Sequence, residues 1–75
     1  MNAAESLITM VNQIGEFFET MPDRQQALAD LAQHLKRFWA PRMRRALLEH
    51  IEKHGDAELK EIVQTAVRMH KALLV

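Results

Sequence analysis

His50 and His54 stand four residues apart, a spacing that puts two imidazoles on one face of a helix and can supply two ligands to a metal ion. The intervening run is Ile51-Glu52-Lys53, which sets its Glu one position away from the place it holds in helical zinc proteases, and no third ligand is spaced to join the pair. The expectation is therefore no metal. On this reading His50 flanks the core, while His54 is solvated near a helix C-terminus, where a cation is favourably placed. His34 and His70 read the same way, as partly buried polar side chains of two other helices.

Nucleophilic chemistry has less to work with. Cys is absent, Ser6 has no His near it in sequence to act as a base, and Thr9, Thr20 and Thr65 are isolated. Gly15 and Gly55 are far apart, and neither belongs to a phosphate-binding or dinucleotide-binding loop. The chain lacks the groups that catalysis needs and is not expected to be an enzyme.

A different chemistry is concentrated in Lys36-Arg37-Phe38-Trp39-Ala40-Pro41-Arg42-Met43-Arg44-Arg45, where two aromatics are interleaved with five cations. The mixture has three readings. In a nucleic-acid module, cations meet phosphates and a ring stacks on a base. The zero formal net charge and the flanking acids count against that. In a structural reading, Phe38 and Trp39 close the core and the arginines form a solvated face paired with Glu49 and its neighbours. In an interface reading, the segment docks on another polypeptide, because Trp, Met and Arg are enriched at binding surfaces and Arg makes two-pronged bonds to carboxylates. The last two readings are compatible with each other.

The elements that must position these residues are helices. Helix-forming residues dominate, and only two Gly and two Pro punctuate the chain. Asn2 and Glu5 resemble a capping box that opens a first helix. Along it Leu7, Val11, Ile14, Phe18 and Met21 recur at helical spacing, widened by Ile8, Met10 and Phe17. Pro22 ends that helix, and Asp23 with Gln26 can cap a second whose apolar face is Leu28, Leu31, Ala32, Leu35, Phe38 and Trp39. Pro41 suits the first position of a third helix, which carries Met43, Leu47, His50 and Ile51 on one side. Gly55 supplies a left-handed stop, and Asp56 can cap a fourth helix through Leu59, Ile62, Val63, Ala66, Val67, His70, Leu73 and Leu74. The expected fold is all-α: one domain over residues 1–75, a compact bundle of three to four short helices at about 3–21, 24–39, 41–54 and 57–74.

At 75 residues the core is near the lower limit for independent stability, and no disulfide is available to supplement it. A partner is one way to make up the difference. Surplus apolar surface on the first and last helices also leaves self-association open when the chain is isolated. The absence of Cys fits a reducing cytoplasm, and the N-terminal segment reads as neither a signal peptide nor a membrane span.

The strings Leu7-Ile8-Thr9-Met10-Val11-Asn12-Gln13-Ile14-Gly15-Glu16-Phe17-Phe18 and Met21-Pro22-Asp23-Arg24, continued by His34 through Arg44, closely resemble the delta subunit of soluble bacterial NAD-dependent, molybdenum-containing formate dehydrogenases. From about Leu48 onward the chain matches only as generic helix. The resemblance implies a small non-catalytic subunit of a cytoplasmic complex that oxidises formate to carbon dioxide and reduces NAD. It implies that molybdopterin and iron–sulfur clusters belong to the large alpha subunit, flavin and NAD chemistry to other subunits, and no cofactor to this chain. The implied role is stabilisation or assembly of that complex. Combined with the residue reading, it makes Phe17, Phe18, Phe38, Trp39, Pro41, Arg42, Arg44 and Arg45 the expected interface to the large subunit, with Phe38 and Trp39 as anchors and Gly15 permitting close approach. Nucleic acid and membrane are not expected partners. The alternative is a small nucleic-acid-binding or regulatory helical module that uses residues 36–45.

Overall fold

Apolar residues at three- and four-residue spacing, interrupted at Pro22, Pro41 and Gly55, set the boundaries of most elements. The computed structural model describes residues 3–75, among which the chain forms five helices and no strand. They are α1 (Ala3–Glu19), α2 (Arg24–Phe38), α3 (Pro41–His54), α4 (Glu61–Met69) and α5 (Lys71–Leu74). The expected capping role of Asn2 lies outside the described residues.

α2 is the central element and packs against each of the other four. Its buried face is Ala27, Leu28, Leu31, Ala32 and Leu35. Leu7, Ile8 and Val11 from α1, Leu47 from α3, and Ile62, Val63, Ala66 and Val67 from α4 close over it, together with Trp39, Leu59 and Leu74. The radius of gyration is 11.3 Å, about what a folded chain of this length should have.

Local chemistry accounts for most of the helix ends. α1 stops at Glu19, two residues before the expected end, because its last turn tightens: the Met21 amide donates to Phe18 O at 3.1 Å, and the Thr20 hydroxyl donates to Phe17 O at 2.7 Å. Asp23 caps α2 by accepting the Gln26 amide at 3.1 Å, while the Gln26 side chain turns to Asp30 instead of reaching back. α2 ends one residue early as well, at Phe38, with Trp39 extended beyond it. Gly55 closes α3 at φ 80° and ψ −176°, a positive-φ conformation open to glycine but extended in ψ, unlike the left-handed helical stop expected.

The expected fourth helix at 57–74 differs most from the structure. Asp56 does not cap it; the segment from Asp56 turns, with the Leu59 amide donating to Asp56 O at 3.0 Å, and α4 begins at Glu61. Its N-cap residue, Lys60, has no side-chain cap and is held instead from α1. Asn12 Oδ1 accepts the Lys60 amide at 2.9 Å while its Nδ2 donates to Glu58 O at 3.0 Å. A second interruption at His70 separates α4 from α5 and lets Leu74 reach the core, where it is buried.

Gly15 sits where α1 crosses α4. A Cβ added there would lie 2.7 Å from Val63 Cγ2 and 3.2 Å from Ile62 Cγ2. The close approach expected of this glycine is thus made inside the protein, against α4. Beside it Lys60 pairs with Glu16 at 3.6 Å, an exposed contact of small energetic weight.

Candidate functional site

The residues from Lys36 to Arg45 build the corner between α2 and α3, and that corner sorts them into inside and outside. The last four carbonyls of a helix have no partner within it. Arg44, on the first turns of α3, reaches back to them: its Nη1 donates to Lys36 O at 2.7 Å and Trp39 O at 3.0 Å, with Leu35 O at 3.5 Å. A cation at a helix C-terminus also meets the negative end of the helix dipole. Arg44 is 8% exposed, and its Nε is buried without a hydrogen-bond partner.

Trp39 follows the last residue of α2 in extended geometry, which turns its ring inward to 5% exposure. Both residues therefore depart from the expected interface: Trp39 is core and Arg44 is a brace of the corner. Neither exposes more than a small fraction of its surface. Burial of Trp39 also removes the base-stacking ring that a nucleic-acid reading of this segment would use.

Phe38 goes the other way. As the final residue of α2 it stays on the helix and points outward, 72% exposed. Four residues before it on the same face lies His34, whose ring centroid is 4.9 Å away. His34 meets Phe18 of α1 edge-on at 5.9 Å, and Phe18 meets Phe17 edge-on at 5.2 Å. The result is a continuous aromatic row across α1 and α2, with the half-buried Phe18 and His34 between two outer rings. Phe17, at the α1 end, is 68% exposed.

Cations border this row. Lys36 and Arg37 lie on the last turn of α2, and Arg42 and Arg45 on the first turns of α3; all four are exposed, as is Pro41. The ion pairs seen among the described residues include His50–Glu58, Lys60–Glu16 and Arg68–Asp56, and none of these four cations takes part in one there. One carboxylate marks the edge: Asp30 shares a shallow depression with Phe18, His34, Arg37 and Phe38, while Glu49 shares a separate one on α3 with Arg42 and Arg45. Thus the structure brings Phe17, Phe18 and Phe38 together and keeps Pro41, Arg42 and Arg45 at the surface nearby. His34 and Arg37 join them although they were not singled out for the interface. The four-residue step from His34 to Phe38 was the signal that could have placed His34 there.

Several of the groups considered for catalysis are engaged in structure. The hydroxyls of Thr9 and Thr65 donate to carbonyls four residues back, at 3.1 and 3.0 Å, and that of Thr20 to the carbonyl three back. His50 Nε2 lies 2.9 Å from Glu58 Oε1, and its ring lies 4.8 Å from that of the exposed His54. No group of three potential metal ligands occurs among the described residues. A groove floored by Leu48, Ile51, Leu59 and Val67 has a volume of about 200 Å³, below the usual range for small-molecule sites. No helix among the described residues is long and apolar enough to cross a membrane.

Fold and surface together define a class: a small all-α bundle with an exposed aromatic row beside unpaired cations. A family model described as NADH-dependent formate dehydrogenase delta subunit, FdsD, matches residues 6–67. The chain belongs to the FdsD family. No curated protein and no solved structure matches it.

Proposed function

We propose that this chain is a non-catalytic accessory subunit that stabilises, or helps to assemble, a cytoplasmic NAD-dependent formate dehydrogenase by binding its large subunit. The observation that carries this reading is the family match across residues 6–67, whose description is a delta subunit of that enzyme. Composition supports it. With no Cys the chain has no thiolate for an iron–sulfur cluster, and we assign molybdopterin, flavin and NAD to the other subunits on the family resemblance alone.

The physical side of the proposal is modest in its demands. A chain of this length has total stability on the order of 4–11 kcal/mol, and a partner that binds only the folded form adds to it by mass action. The test is to tag the chain in its native cell, purify it without cross-linking and identify its companions. Recovery of the formate dehydrogenase subunits, together with loss of formate-dependent NAD reduction when the chain is deleted, is the expected result. Formate oxidation by the purified chain alone, or purification with no dehydrogenase subunit, would refute it.

A further inference from the structure

We propose that the aromatic row Phe17–Phe18–His34–Phe38 is the docking surface, and that its occupant is a face of the large subunit carrying an apolar cleft edged by carboxylates. This rests on the accessory-subunit reading above and names the chemistry of the partner. Two phenylalanines with more than two-thirds of their surface in water, joined through ring contacts, form the kind of exposed apolar feature that marks interaction sites. Ordinary folding leaves single apolar residues outside; it does not require a row of rings across two helices.

The charge pattern selects the partner. Arg37 adjoins Phe38 in sequence and shares its depression, and Arg42 is four residues beyond Phe38, so chain geometry keeps Arg42 within about 14 Å. None of these cations, nor Arg45, has an internal ion pair among the described residues. A complementary surface must supply carboxylates around the aromatic contact, where Arg can bond them in two-pronged fashion. Anionic lipid fits less well, because the row crosses two helices instead of running along one, Asp30 lies at its edge, and Glu49 lies among the α3 cations.

The exposure of these residues makes the test clean, since substitutions outside the core should leave the fold intact. The full chain is co-expressed with the formate dehydrogenase large subunit, and affinity is measured for the wild type, for Phe17→Ala with Phe38→Ala, and for Arg37→Glu with Arg42→Glu and Arg45→Glu. The aromatic double variant is expected to bind at least about 30-fold more weakly, as for central anchors, with an unchanged melting midpoint. The charge-reversed variant is expected to bind at least about tenfold more weakly at low salt, and the gap should shrink as salt rises. Wild-type binding that survives both variants overturns this surface while leaving the accessory-subunit reading standing. Absence of wild-type binding to the large subunit overturns both. Light scattering that shows a dimer lost in the aromatic variant, with large-subunit binding retained, would make the row a contact between copies and also overturn the proposal.

Discussion

Replacing Gly15 by Ala pits two effects of known sign against each other. Alanine in a helix interior is favoured over glycine by about 1 kcal/mol, so propensity alone predicts a more stable protein. The new methyl, however, would stand 2.7 Å from Val63 Cγ2 and 3.2 Å from Ile62 Cγ2, where carbon atoms prefer roughly 3.5–4.0 Å. Ile62 and Val63 are both fully buried, and their β-branched side chains have few rotamers into which to retreat. Overpacking of this kind costs about 1–3 kcal/mol, and the shorter contact argues for the upper part of that range. The net expectation is destabilisation by about 1–2 kcal/mol, or a melting midpoint lowered by about 5–15 °C in a domain of this size. Thermal and urea unfolding followed by circular dichroism measures it. The cause is isolated by repeating the change in a Val63→Ala background, where the methyl it strikes is gone and the penalty should fall by about 1 kcal/mol. A Gly15→Ala protein that melts at or above the wild type, or an equal penalty in both backgrounds, would refute the steric argument.

Three further substitutions test the packing around the site. Trp39→Ala should cost about 3–5 kcal/mol by urea unfolding, a large share of the total, whereas Phe38→Ala should stay within about 0.5 kcal/mol of wild type. Asn12→Ala removes both the acceptor for the Lys60 amide and the donor to Glu58 O; a loss of about 1–2 kcal/mol is expected, with faster hydrogen exchange at Lys60 and the first turn of α4. Gly55→Ala meets no neighbour within 4 Å but must hold φ 80° with ψ −176°, a region open essentially to glycine alone, so a cost of about 1–3 kcal/mol is expected and Asn should relieve little of it, as equilibrium unfolding would show.

The helical architecture was legible wherever its signals were local. Pro22, Pro41 and Gly55 interrupt the apolar stripes at the places where helices end, and Asp23 caps α2 through its neighbour Gln26. The start of α4 was not legible, because its amide is capped by Asn12, a residue 48 positions earlier that reads as an ordinary polar interruption of α1. The break at His70 carries neither Gly nor Pro to announce it. Within the site, the aromatic and cationic residues were visible as a stretch, but a stretch does not say which side chains turn inward. Part of that answer was present. Trp39 continues the buried Leu31–Leu35 stripe by four residues, while Phe38 continues the polar line Asp30–His34 by four.

That division changes how binding experiments on this segment must be read. Phe38 is presented outward because α2 ends just after it, and α2 ends there because Trp39 drops into the core and Arg44 ties the final carbonyls to α3. If the proposed docking surface is correct, removing Trp39 would weaken binding without Trp39 touching the partner, by loosening the corner that aims Phe38 and Arg42. A loss of affinity in Trp39→Ala with a matching loss of stability speaks for packing. Only a loss without destabilisation, as expected for Phe38→Ala, identifies a residue that makes the contact itself.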